Sequence, residues 1–173
     1  MESLRYLFVV LSALGLALSL FVHIASFLGL ELPSVAMGLH VGIFVVWLPA
    51  VLVANKLATG VSRADYWRAV LRGCPKWMQY MVYGFSGYAV INFALFFLGT
   101  SQGEIDSTGS DSIPSSVFRG FSGHWMAFYS AALAILYSGI KVRLTRPRKC
   151  PAGHTVSLSA EYCEQCGLPI QEE

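Results

Sequence analysis

Four stretches of this chain contain no Asp, Glu, Lys or Arg: Tyr6 to Leu30, Leu32 to Asn55, Trp77 to Gly103 and Gly120 to Ile140. Each is long enough, as a helix, to cross a hydrocarbon core, which takes about 20 residues. No soluble fold needs four such stretches. The charge content agrees: 13% of the residues are charged, where a soluble domain carries about a quarter. The first run has an apolar part longer than the h-region of a signal peptide, about 7–15 residues, and reads as a retained helix.

The expected fold is all-α: a four-transmembrane-helix bundle over residues 1–145, followed by a small C-terminal zinc ribbon over residues 146–173. Helices are predicted at about 4–28, 34–56, 77–98 and 118–142. Ser34 is placed to cap the second helix, and Pro49 inside it predicts a kink. Ser62, with Asp65 three residues on, resembles a capping box. It opens a short amphipathic helix over 62–72 with Trp67, Val70 and Leu71 on one face, suited to the membrane surface.

Charge sets the orientation. Lys56, Arg63, Arg68, Arg72 and Lys76 against Asp65 make the connection after the second helix strongly basic, and Lys141, Arg143, Arg146, Arg148 and Lys149 do the same after the fourth. The first connection holds Glu31, and the third holds Glu104, Asp106 and Asp111. Basic segments collect on the cytoplasmic side, so both termini are expected there, in the plasma (inner) membrane if the cell is prokaryotic. The basic segments also suit anionic lipid headgroups. The net charge of +2 gives no case for nucleic acid.

The tail reads Cys150-Pro-Ala-Gly-His154 and then Cys163-Glu-Gln-Cys166-Gly. Three thiolates and an imidazole at this spacing are a zinc ligand set. Gly153 and Gly167 give the backbone freedom to turn beside each ligand pair. The segment resembles the zinc-ribbon modules at the ends of many membrane and regulatory proteins, with His154 where the usual first knuckle carries Cys. That resemblance implies a structural site that holds a partner or the protein's own membrane domain. Cys74 stands apart in Arg-Gly-Cys-Pro-Lys. Basic neighbours would lower its pKa, but no second ligand is near it in sequence, and it reads as an ordinary thiol.

Inside the membrane, His23, His40, Asn92 and His124 fall at one depth, roughly 8–10 Å below the outer helix ends at 1.5 Å per residue. Three readings follow: hydrogen-bonded glue between helices, a metal or proton path, or a haem b held by His40 and His124 with His23 third. Gly38, Gly42 and Gly123 suit the close approach of a flat ring. Tyr80, Tyr83, Tyr88, Trp125 and Tyr129 suit a quinone or lipid cleft, or packing and interface anchoring. The chain shows no nucleophile–base pair, no phosphate-binding glycine loop and no embedded carboxylate. The leading expectation is a membrane scaffold or accessory subunit whose zinc module docks a protein partner, with an oligomer compatible. The alternatives are a haem electron carrier and a metal-ion conduit fed by the acidic loop.

Overall fold

The computed structural model describes residues 2–101, 114–145, 148–156 and 161–169. Five helices account for most of them: α1 (Glu2–Phe27), α2 (Gly38–Leu57), α3 (Tyr66–Val70), α4 (Lys76–Ser101) and α5 (Ser115–Thr145). Two short strands follow, β1 (Arg148–Lys149) and β2 (Thr155–Val156). The four long helices are each long and apolar enough to cross a membrane. The acidic connection holding Glu104, Asp106 and Asp111 lies outside the described residues.

The side chains are sorted inside out. Leu14, Leu18, Phe21, Phe44, Leu48 and Ile91 are exposed, while Ser12, Ser19, Ser26, Ser122, Ser130 and Ser138 are fully buried. In water the apolar stripe of a helix faces the core. In lipid no hydrophobic force draws helices together, so small residues line the contacts and large apolar ones face the tails.

α5 is the hub. In its membrane window 56% is buried, against 28% in α1, 17% in α2 and 11% in α4. Its most extensive contact is with α1, then α4, then α2. The α1 seam is Ser12, Gly15, Ser19, Val22 and Ser26, spaced by threes and fours on one helical face. The serine hydroxyls donate to their own helix: Ser12 to Phe8 O, Ser19 to Gly15 O and Ser26 to His23 O, each at 2.7 Å. They are satisfied without a partner across the seam, so the helices approach closely.

Tyr129 of α5 locks the three helices. Its ring lies over Gly15, where a Cβ would collide with it, and its hydroxyl sits over Gly42. That hydroxyl donates to Leu39 O at 2.8 Å. One side chain therefore joins α1, α2 and α5.

Two expectations are corrected locally. Ser34 does not cap α2. It begins a 3₁₀ turn (Ser34–Met37) whose N-cap is Pro33, and Ala36 N–H reaches Pro33 O at 2.9 Å. The extended backbone of Pro33 opens the turn one residue early. The helix expected over 62–72 is a 3₁₀ turn (Arg63–Asp65) followed by α3. Ser62 does cap this turn, accepting from Asp65 N–H at 3.3 Å. Val70 and Leu71 are buried, while Trp67, one turn before them, is 44% exposed. Pro49 lies within α2, as expected.

The seam and the lock make a ranked prediction. Gly15→Leu should destabilise the bundle by about 2 kcal/mol through overpacking against Tyr129. Tyr129→Phe should cost about 1 kcal/mol by leaving Leu39 O without its side-chain donor. Leu18→Ala, on the exposed face, should cost least. Unfolding in mixed micelles gives the order, and a reversed order would remove Tyr129 from the centre of the bundle.

Candidate metal centre

Two turns build the site in the tail. β1 and β2 pair antiparallel, Arg148 opposite Val156 and Lys149 opposite Thr155, and hold the first turn between them. Cys150 N–H reaches His154 O at 3.0 Å, and Gly153 N–H reaches Cys150 O at 2.8 Å. An isolated bridge between Tyr162 and Pro169 closes the second turn. There Cys163 N–H reaches Leu168 O at 2.9 Å and Gly167 N–H reaches Cys163 O at 2.8 Å. Gly153 (φ 84°) and Gly167 (φ 71°) both adopt the left-handed conformation, which costs other residues about 1–2 kcal/mol.

The turns bring four ligand atoms together. Those of Cys150, His154, Cys163 and Cys166 all lie within 4.8 Å of one another. Cys150 Sγ is 3.7 Å from Cys166 Sγ and 3.6 Å from His154 Nδ1, and Cys163 Sγ is 3.7 Å from the same Nδ1. A tetrahedral ion with bonds of about 2.3 Å to sulfur and 2.0 Å to nitrogen sets sulfurs about 3.8 Å apart, and sulfur and nitrogen about 3.5 Å apart. The separations fit one ion at the centre. The cluster has the chemistry and the size to hold a metal ion, with His154 offering Nδ1.

The two thiols of the second turn are shifted in opposite directions. Burial works against ionising Cys163, but the N–H groups of Gln165 and Cys166, with the side chains of Cys166 and His154, outweigh it and bring the thiol down to about 6. Cys166 is raised: the Leu168 N–H pulls it down, but burial, Cys163 and Cys150 prevail.

Cys74 is a different case. It is buried beside α5, with Sγ 3.1 Å from Ala134 O. Burial pushes its thiol up to about 11, against the pull of the Ser138 backbone and hydroxyl. The basic neighbours in sequence do not activate it.

The polar layer exists, but as two groups gathered on one stretch of α5. His23 bridges three helices. Its Nδ1 is 2.7 Å from Ser122 Oγ and its Nε2 is 2.5 Å from Tyr88 Oη. Ser122 donates to Arg119 O at 3.3 Å. A consistent assignment runs Tyr88 O–H to His23 Nε2, His23 Nδ1–H to Ser122, and Ser122 O–H to Arg119 O. Asn92 Nδ2 donates to Arg119 O at 2.9 Å and to Gly120 O at 3.1 Å, tying α4 to α5. Arg119 Nη2 reaches Ser26 O at 3.2 Å, and its guanidinium lies 4.7 Å from the Phe27 ring centre. It thereby caps the C-terminus of α1.

In the second group His124 Nε2 is 3.3 Å from His40 Nδ1, and Trp125 Nε1–H donates to that same Nδ1 at 3.0 Å. The indole is always a donor, so His40 Nδ1 is an acceptor and its proton sits on Nε2.

The histidines expected to hold a cofactor are engaged with one another and with neighbouring side chains. His40 and His124 touch at hydrogen-bond distance. His23 is committed to Ser122 and Tyr88. Among the described residues, the group of three or more His, Cys, Asp or Glu able to converge on an ion is the one in the tail. The glycines are used by neighbours: Tyr129 covers Gly42 and the Asn92 side chain covers Gly123, while Gly38 faces open space. Tyr88 and Trp125 belong to the polar layer and Tyr129 to the helix lock, while Tyr80 and Tyr83 are exposed. Reading by sequence missed Ser122 and the cap by Arg119. The signal for Arg119 was a lone cation just inside an otherwise uncharged span.

No protein-family model, no curated protein and no solved structure matches this chain.

Metal content and its pH dependence test the cluster. The purified protein should carry about one ion per chain. Affinity should fall as pH is lowered, and more steeply below about 6, where Cys163 also regains its proton, because each thiol must ionise to bind. Gly153→Ala should weaken affinity by about 5–30-fold through its left-handed backbone. Full retention in Cys163→Ser, or binding that strengthens in acid, would remove these residues from the site.

Proposed function

We propose that this chain is a multi-pass membrane scaffold or accessory subunit whose zinc-loaded tail docks a partner protein at the cytoplasmic face. The observation that carries the reading is the closed set of four ligand atoms in the tail, Cys150, His154, Cys163 and Cys166. Thiolate and imidazole ligands favour zinc over hard cations. Four protein ligands leave no open position for substrate, so the ion's role is structural. The tail has little core of its own: Cys150, Val156 and Cys163 are its buried residues among those described. So small a module gains its fold from its metal.

The cytoplasmic placement follows from the basic segments after α2 and α5 and from Arg5, which sit on one side of the membrane when four crossings alternate. Docking is supported by two apolar side chains beside the second turn: Tyr162 is 63% exposed and Leu168 is 41% exposed. Next to a rigid, metal-fixed turn, they offer a small preorganised contact. The module would present this contact close to the membrane, and the bundle would fix where it is presented.

A photo-crosslinking residue at Leu168 in cells tests this reading. It should give a discrete protein adduct that disappears when Cys163→Ser removes the metal. No adduct, or the same adduct in the metal-free variant, would overturn the docking role.

A further inference from the structure

The end of the bundle opposite the histidines holds a feature that neither the metal nor the polar layer uses. α1, α2, the segment after α3 and α5 surround an open cavity of about 740 Å³. Each contributes one cation to its lining: Arg5, Lys56, Arg72 and Lys141. Among the described residues that line it, none is acidic. Asp65, on the same connection, is 3.6 Å from Arg68, which is not part of the lining. The rest of the lining is mostly apolar, with Val53, Leu57 and Leu136 below the charges.

The walls are held in place. The segment carrying Arg72 is docked on α5: Gly73 N–H donates to Ser138 Oγ at 3.1 Å, and Cys74 Sγ lies against Ala134 O. A Cβ at Gly73 would come within 2.8 Å of Ser138 O, so a larger residue would push this wall away. Gln79 Nε2 braces the same segment through Cys74 O at 2.9 Å and Leu71 O at 3.2 Å. Arg72 therefore projects from a fixed backbone.

A general cytoplasmic bias of basic residues would place cations around the rim of the bundle. It does not require four separate elements to line one cavity. Like charges gathered at a membrane surface repel one another and attract an anion. The cavity size falls in the range of small-molecule sites, about 300–1,000 Å³. Cations at the mouth above an apolar floor match a molecule with a phosphate at one end and hydrocarbon beyond it.

We propose that this cavity binds the phosphate headgroup of an anionic phospholipid. Arg5, Lys56 and Arg72 would contact the phosphate, with Lys141, whose ammonium lies 5.8 Å from the Tyr137 ring centre, at the edge of the site, and the glycerol and first acyl carbons would lie over Val53, Leu57 and Leu136. The bound lipid bridges α1, α2 and α5 and stabilises the folded bundle in proportion to its occupancy.

Thermal unfolding of the full-length protein in a neutral detergent tests this. The additives are phosphatidylglycerol, phosphatidylcholine with the same acyl chains, and inorganic phosphate. Phosphatidylglycerol should raise Tm to a plateau and phosphatidylcholine should not. The Lys56→Gln/Arg72→Gln variant should need about 30-fold more phosphatidylglycerol for half the effect. The Arg63→Gln/Arg68→Gln variant, with the same loss of charge outside the cavity, should behave as the parent. If the first double variant does not fold, Arg72→Gln alone should show a shift of about fivefold. Equal responses to the two lipids, or equal losses in the two double variants, would overturn the site. A plateau reached with inorganic phosphate alone, and lost in Lys56→Gln/Arg72→Gln, would overturn the lipid as ligand and assign the cavity to a soluble phosphate.

Discussion

Within a hydrocarbon layer, a polar group must find its partner inside the protein, and that requirement organises this bundle. α5 meets it for the other helices, while its own Arg119 Nε and His124 Nδ1 are buried without a hydrogen-bond partner among the described residues. Residues 119–125 of α5 carry the partners of His23, Asn92 and His40, while the Arg119 side chain closes the end of α1. The serines of the α1 seam meet the same requirement within their own helix. Their hydroxyls leave nothing unsatisfied, and their small size lets α1 lie against α5. The large apolar residues are then free to face the tails.

The bundle is therefore unequal around its axis. α4 is the least buried of the spans, and side-chain bonds fasten it at both ends. Asn92 and Tyr88 hold it near one end, and Gln79 braces its start against the loop carrying Cys74. Single polar contacts between membrane helices contribute about 0.6 kcal/mol on average. α4 is held by these bonds together with the packing of Met78, Val82 and Ala89 and of Phe96 over Gly120, where α1 depends on a continuous seam. The basic end is built differently: a docked loop, a close glycine approach and four cations around a cavity. The metal cluster lies beyond it in sequence, so the tail follows directly from the basic end of α5.

Much of this is legible in the residues. Spans follow from run length, because a helix that crosses lipid tolerates few charges. The tail ligands follow from spacing, since paired Cys and His with a glycine beside each pair leave few other readings. After the structure, Gly153 and Gly167 still carry the role the pattern assigns them, each with positive φ. Depth is legible too: a fixed rise per residue places His23, His40, Asn92 and His124 near one level. Rotation about each helix axis and the choice of neighbour are not legible. Those decide that His40 meets His124 while His23 meets Ser122 and Tyr88. The glycines show the same limit. A gap over Gly42 or Gly123 looks alike in sequence whether a cofactor or a neighbouring side chain fills it, and here Tyr129 and Asn92 fill them. The serine seam went unseen because a hydroxyl reads as polar until its bond to its own helix is known.

The central claim is that α1 lies in lipid with its serine seam against α5 and its large residues outward. Spin labels placed one at a time along α1 test it most directly, read for collision with oxygen, which enters lipid, and with a water-soluble nickel chelate. Labels at Leu14, Leu18 and Phe21 should be open to oxygen and closed to nickel. Labels at Ser12 and Ser19 should be protected from both. Nickel access at Leu18 or Phe21, or oxygen access at Ser19 equal to that at Leu18, would contradict the account.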